Sequence, residues 1–142
     1  MKINNYKTFL IYVLTPVFLG ALVGIITSGR TSDYDSIVPG FVFPIVWTIL
    51  YILMGISSYL VRDNERLINI YKINLIVNLA WPIIFFLLGW EVIGFFWILL
   101  LIIIVGVMIY EFYNENRLAG YLLIPYLLWL IFASILNLIQ II

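Results

Sequence analysis

The feature that most constrains this chain is the length of its uncharged runs. Five stretches contain no Asp, Glu, Lys or Arg, and they cover residues 8–29, 36–61, 73–90, 92–110 and 118–142. A helix needs about 20 consecutive apolar residues to cross a hydrocarbon core about 30 Å thick. The runs do not show the alternation of polar and apolar residues that is typical of barrel strands. The sequence therefore predicts an all-α membrane protein, a bundle of five transmembrane helices.

The spacing of the charges predicts one transmembrane domain over residues 1–142, with helices at about 8–29, 40–61, 68–89, 92–112 and 118–141. The connections are short, so function is expected among the helices or in the first loop. The first apolar run exceeds the roughly 7–15 residues of a signal-peptide core, so we expect it to be retained. The lack of a convincing internal repeat disfavours an inverted-repeat transporter.

The residue types that are missing exclude several kinds of chemistry. The chain has no histidine and no cysteine, which excludes disulfides, thiol catalysis, histidine acid–base chemistry and histidine-ligated haem. The formal net charge is +0, which disfavours nucleic acid as a partner. Ionisable groups deep in a span usually mark ion pathways, but Glu91 and Glu111 fall at predicted helix ends. The sequence thus disfavours an ion pump or channel.

The distribution of basic residues predicts the orientation of the bundle. Six of the seven Lys and Arg residues fall on the side that holds the N-terminus, and only Arg30 falls on the other. Basic residues favour the cytoplasmic side. We therefore expect a cytoplasmic N-terminus and an external C-terminus, most simply in a bacterial plasma membrane.

Two amides on the third predicted helix are candidates for a polar site. Asn74 and Asn78 are four residues apart and share one helix face, and Pro82 follows after another four. One interpretation is that these amides bond across helices or compensate for the proline break. The other is that they line a ligand cavity. Asn137 on the fifth helix has the same two interpretations.

Aromatic side chains at helical spacing suggest either packing or a pocket. Trp47 and Tyr51 are four apart on the second helix, and Trp81 and Phe85 are four apart on the third. One such pair alone favours packing. Several pairs on different helices are consistent with an apolar pocket that contains a few polar groups and suits a flat aromatic ligand.

Three helices carry motifs of a known family. The second reads VPGFVFPIVWTILYILMG, the third NLIVNLAWPIIFF and the fifth IPYLLWLIFASILN. In order and spacing, this pattern resembles the tryptophan-rich sensory protein/translocator protein family (TspO/MBR, also called peripheral-type benzodiazepine receptors). The resemblance implies a five-helix bundle, often a homodimer, with a pocket near the first loop. Members bind porphyrins, and many bind sterols and synthetic drugs.

The resemblance also implies functions for particular residues. Trp47 and Trp129 match the pair associated with light-dependent breakdown of protoporphyrin in some bacterial members, and Tyr34 matches the tyrosine of the loop over the pocket. Together with Asn74 and Phe85, which spacing singled out, the candidate ligand-binding residues are Tyr34, Pro39, Trp47, Tyr51, Asn74, Asn78, Trp81, Phe85, Trp129, Ala133 and Leu136.

The chain departs from the family pattern at several positions. Val38 replaces a proline, Phe41 replaces a tryptophan, and Asn74 stands where the family favours glutamine. Residues 136–142 contain no Tyr followed by Lys or Arg, so the cholesterol-recognition pattern is absent. This absence disfavours sterol transport.

The leading hypothesis is a membrane sensor or receptor that binds a porphyrin and needs no obligatory cofactor or metal. Without His or Cys, iron ligation would fall to Tyr, Met or no residue. The expected ligand is therefore metal-free protoporphyrin IX, or haem held by its faces and propionates, with Arg30 as a partner for a propionate. The alternatives are a photo-oxidative porphyrin-degrading enzyme that uses Trp47 and Trp129, and a porphyrin transporter. The lipid bilayer and a second copy of the chain are the other expected partners.

Overall fold

The computed structural model describes residues 5–31 and 41–142, and within them five segments are long and apolar enough to cross a membrane. The helices are α1 (Tyr6–Thr31), α2 (Val42–Leu60), α3 (Glu65–Pro82), α4 (Glu91–Glu115), α5 (Arg117–Leu122) and α6 (Ile124–Ile141). A π-helical turn, Ile83–Leu87, extends α3, and α5 with α6 forms the fifth crossing. The predicted five-helix membrane bundle is confirmed.

The helices form a closed ring. α1 packs on α2 and α3, α2 packs on α5, the α5–α6 segment packs on α4, and α4 packs on α3. Contact between α2 and α6 is sparse by comparison. The ring buries a core of large side chains that includes Met54, Met108, Phe112 and Leu130, all inaccessible to solvent. The consequence for function is that α2, α3 and α6 all direct side chains into one interior.

Local signals in the sequence explain where the helices begin and end. The side-chain oxygens of Asn64 and Asn116 accept hydrogen bonds from the backbone N–H groups of Leu67 and Ala119, both at 3.2 Å, and so cap α3 and α5. Asn116 alone separates α4 from α5, whereas the predicted helix bounds left residues 113–117 between the fourth and fifth crossings. Gly89 has φ of 70°, which allows the turn into α4 without the steric cost of a side chain.

The third crossing is not a uniform α-helix to residue 89 as predicted. It is α-helical to Pro82 and π-helical from Ile83 to Leu87. Proline has no backbone N–H and its ring crowds the preceding turn, so the regular α-helical hydrogen bonding is interrupted there. The wider turn places Phe85 in the protein interior, where it is 4% exposed.

Glycine sets the close approach of α1 to α2. A Cβ on Gly55 would lie 2.5 Å from the carbonyl oxygen of Tyr12, and a Cβ on Gly20 would lie 2.3 Å from the ring of Tyr51. A Cβ on Gly24 would meet nothing within 4 Å. Gly20 and Gly24 are four residues apart on α1, and of the two only Gly20 is in close contact within the described part of the bundle.

Candidate ligand-binding site

Five aromatic rings from α2 and α6 meet in the bundle, and we term them the aromatic cluster: Phe43, Trp47, Tyr51, Tyr126 and Trp129. Trp47 is at its centre, with ring centroids 5.7 Å from Tyr51, 6.4 Å from Tyr126 and 6.4 Å from Trp129. The planes of the two indoles are at 89°, and Phe43 lies edge-on to Trp129 at 5.9 Å. Edge-to-face packing at these distances is favourable, and it offers flat faces to a planar molecule.

A chain of hydrogen bonds, which we term the polar network, lies beside the aromatic cluster. Tyr51 donates its hydroxyl proton to Oδ1 of Asn78 at 2.7 Å, and Asn78 donates from Nδ2 to the hydroxyl of Tyr126 at 2.8 Å. Tyr126 in turn donates to Oδ1 of Asn74 at 2.7 Å, and Nδ2 of Asn74 approaches the sulfur of Met54 at 3.6 Å. The network joins α2, α3 and α6, which confirms the interpretation that these amides bond across helices.

Trp81 and Phe85 form a second group at the far end of α3. Their rings stack with centroids 5.1 Å apart and planes at 18°. Nε1 of Trp81 donates to the carbonyl of Gly94 at 3.1 Å and to Oδ1 of Asn137 at 3.3 Å. Nδ2 of Asn137 donates to the carbonyl of Glu91 at 3.2 Å. The hydrogen bonds of Trp81 and Asn137 therefore connect α3, α4 and α6.

The indole N–H of Trp129 differs from those of Trp81 and Trp97. Trp97 donates to the carbonyl of Val77 at 2.8 Å, and Trp81 has the two acceptors given above. Nε1 of Trp129 is buried and has no acceptor among the described residues. A buried donor without a partner is costly and unusual in proteins. The cluster thus contains a fully buried hydrogen-bond donor that an incoming acceptor could satisfy.

The structure brings five of the eleven predicted site residues together in the aromatic cluster and the polar network. Trp47, Tyr51, Asn78 and Trp129 meet in the aromatic cluster and the polar network, and Asn74 joins the network. Ala133 and Leu136 are buried on α6, one and two turns beyond Trp129. Tyr34 and Pro39, like Arg30, lie outside the residues whose side chains are described.

Two residues of the site were not among the predicted ligand-binding residues. Tyr126 bonds to both network amides, and Phe43 packs against Trp129. A signal for Tyr126 was present, because it is three residues before Trp129 and therefore shares its helix face. Trp81 and Phe85 were predicted, but they form their own group through bonds to α4 and α6.

The groups that meet at the site are suited to binding a planar molecule. In the parts of the chain that the structure describes, no group of three or more acidic, His or Cys residues could hold a metal ion. The polar atoms of the network bond to one another, so the groups that the site offers to a ligand include the aromatic faces and the buried indole N–H of Trp129. These features suit a planar, largely apolar molecule that carries a hydrogen-bond acceptor.

Comparison with known proteins supports the resemblance found in the motifs. The sequence model of the TspO/MBR family matches residues 12–141. The tryptophan-rich protein TspO of Chlorobaculum tepidum is 37% identical over 106 residues, which cover 70% of this chain and 67% of that protein. Protein CrtK of Rhodobacter capsulatus is 31% identical over 142 residues, which cover 91% of this chain and 88% of that protein. Human translocator protein is 36% identical over 110 residues, which cover 70% of this chain and 63% of that protein.

Proposed function

The chain belongs to the TspO/MBR family of membrane proteins, and on that premise we propose that it is a receptor or sensor that binds a porphyrin in the aromatic cluster. The proposed ligand is a tetrapyrrole held between indole and phenol rings, and no cofactor is required. The names of the relatives, tryptophan-rich sensory protein and translocator protein, are consistent with a sensing or carrying role.

The observation that supports this proposal most directly is the unpartnered indole N–H of Trp129 beside the perpendicular ring of Trp47. A porphyrin has both a flat surface on which the rings can stack and an acceptor for the indole donor. Its macrocycle is a large flat π-system that stacks on aromatic side chains. Its carboxylates are acceptors that could bond to an indole donor. The two requirements meet at one residue, which makes Trp129 the anchor of the proposed site.

The polar network supports a metal-free ligand or a haem whose iron has no protein ligand. Within the site, Tyr and Met are the side chains that remain for iron when His and Cys are absent. The hydroxyls of Tyr51 and Tyr126 both donate hydrogen bonds, and the Met54 sulfur faces the amide of Asn74. Because these groups are engaged with one another, we propose that they form a rigid wall that positions the rings.

The decisive test is a titration of purified protein with protoporphyrin IX in the dark. Quenching of tryptophan fluorescence reports the binding. Saturable quenching is expected. Trp129→Phe should weaken binding because it removes the free donor, whereas Trp97→Phe removes an indole already bonded to Val77 and should bind as tightly as the unaltered protein. Absence of saturable quenching by the unaltered protein would refute porphyrin binding. Equal affinity of Trp129→Phe and the unaltered protein would refute the location.

A second candidate function is favoured by the contact between the two indoles. The centroids of Trp47 and Trp129 are 6.4 Å apart, so a porphyrin bound in the aromatic cluster would lie beside both indoles, and either indole could donate an electron to the light-excited ring. We propose as the alternative that dioxygen is reduced while the porphyrin is oxidised and its absorbance band is lost. That loss should need light and dioxygen and should disappear in Trp47→Phe. Persistence of the absorbance loss in Trp47→Phe would show that this indole takes no part in the reaction.

A third alternative, porphyrin transport, predicts protein-dependent uptake of porphyrin into proteoliposomes.

We also propose a bacterial plasma membrane, with the N-terminus cytoplasmic and the C-terminus external. This orientation is supported by Lys7, Arg62, Arg66, Lys72 and Arg117, which all fall toward the end of the bundle that holds the N-terminus. The chain contains no cysteine, so Asn5→Cys and Ile142→Cys each carry a unique label. In intact cells an impermeant maleimide should label Ile142→Cys and spare Asn5→Cys. The reverse labelling pattern would show that the N-terminus is external and the C-terminus cytoplasmic.

A further inference from the structure

A groove runs along the outer surface of the bundle between α2 and α6, whose backbones approach each other closely at few positions. Its volume is about 490 Å³, and its walls are apolar side chains that include Val46, Ile49, Pro125 and Leu128. Ile49 is 52% exposed and Leu128 is 61% exposed. On a helix that crosses a membrane, an exposed apolar surface faces lipid. The groove is therefore open to the hydrocarbon core rather than to water.

Trp129 belongs to both this groove and the interior of the bundle. It lines the groove together with Phe132, and its indole packs edge-on against Trp47 in the aromatic cluster. A single side chain thus separates the lipid-facing groove from the ring at the centre of the candidate site.

Hydrogen bonds also do not hold the indole of Trp129 in place. Trp81 and Trp97 are each fixed by an acceptor on a neighbouring helix, whereas the buried Nε1 of Trp129 has no acceptor among the described residues. Rotation of Trp129 therefore breaks ring contacts but no hydrogen bond. Each ring contact is weak by itself and can be replaced by a similar contact with a flat ligand.

We propose that the ligand passes between the bilayer and the aromatic cluster sideways, through the α2–α6 groove, with the ring of Trp129 turning aside. This inference rests on the proposed porphyrin-binding function and identifies the ligand as a molecule drawn from the membrane. Its chemical class is planar and mostly apolar, with an acceptor for the indole N–H, because a fully solvated polar molecule would lose its hydration in the groove.

The test uses exchange rates to distinguish residues that line the entry route from residues that contact the bound ligand. Ile49→Trp and Leu128→Trp add bulk at the exposed rim of the groove, away from the interior rings. In proteoliposomes mixed with vesicles loaded with protoporphyrin IX, both association and dissociation rates should fall by about tenfold in each variant. The dissociation constant should stay unchanged, since a route affects both directions equally. The matched control is Ile103→Trp on the lipid-facing side of α4, where Ile103 is 65% exposed, and it should exchange at the unaltered rate.

The possible results distinguish the two proposals. Saturable binding by the unaltered protein, with exchange rates unchanged in both groove variants, would overturn the lateral route and leave the proposed function standing. A weaker affinity with an unchanged association rate would place Ile49 and Leu128 in the bound site, which also overturns the route. Absence of binding by the unaltered protein would overturn both proposals.

Discussion

The hydroxyl of Tyr126 on α6 donates a 2.7 Å hydrogen bond to Oδ1 of Asn74 on α3, in a part of the bundle where both residues are completely buried. The same hydroxyl accepts from Nδ2 of Asn78 one turn further along α3. One phenol oxygen therefore satisfies two amides in a place that water does not reach, and it holds α6 in one rotation against α3.

The first prediction concerns this oxygen. Tyr126→Phe keeps the ring and removes both bonds, leaving one acceptor and one donor buried without partners. We expect the free energy of unfolding in detergent to fall by about 1–3 kcal/mol, the usual cost of orphaned buried groups. The measurement is a denaturant or thermal unfolding curve. Tyr110→Phe is the matched control, because Tyr110 is 68% exposed, and it should unfold like the unaltered protein. Equal stability of the two variants would contradict the structural role of the network.

The second prediction concerns the contact between α1 and α2. Gly55→Ala would place a methyl group 2.5 Å from the backbone oxygen of Tyr12, so the two helices must move apart. The expected destabilisation is about 1–3 kcal/mol, as for other overpacked interiors. Gly106→Ala on α4 meets nothing within 4 Å and serves as the control. A Gly55→Ala protein as stable as Gly106→Ala would show that the α1–α2 approach is looser than the structure indicates.

The third prediction concerns the ion pair between Arg66 on α3 and Glu111 on α4. The nitrogen and oxygen are 2.6 Å apart, but the arginine side chain is 64% exposed. Exposed pairs contribute little, because water already solvates both charges well and salt screens them. Glu111→Gln should therefore leave the unfolding midpoint unchanged within error at 0.15 M salt. A clear loss of stability in this variant would mean that the pair is better shielded from water than its exposure implies.

The fourth prediction concerns ligand affinity. If the indole N–H of Trp129 bonds to a porphyrin acceptor, Trp129→Phe should raise the dissociation constant for protoporphyrin IX by about 3- to 10-fold, the value of one such bond. Trp90→Phe is the control, because Trp90 is 52% exposed at the N-terminal cap of α4. Fluorescence titration in the dark gives both constants. A matching rise in the two variants would indicate a general loss of folding rather than a lost contact.

Much of the fold follows from local sequence. Charge spacing and hydropathy are properties of about 20 consecutive residues, so they locate the membrane crossings without knowledge of the partners. One detail that differs has a local cause: Asn116 caps α5 so closely that almost no loop remains after α4. The third crossing also differs, because it ends in a π-helical turn directly after Pro82.

The site was predicted less completely because its residues come from different helices. Spacing placed Asn74 and Asn78 on one face of α3 but left open whether that face meets another helix or a cavity. The choice depends on the rotation of α6, which brings Tyr126 to both amides. Tyr126 was therefore absent from the predicted site, although it shares a helix face with Trp129.

The sequence by itself determined that the chain crosses the membrane five times and that its aromatic and amide side chains fall at helical spacing in those crossings. Only the tertiary structure decided which donors and acceptors pair, and that the indole N–H of Trp129 remains without a partner while those of Trp81 and Trp97 are bonded. The physical reason is that burial in lipid depends on average hydropathy along a helix. A hydrogen bond instead depends on the position of individual atoms, which is set by how neighbouring helices rotate and approach each other.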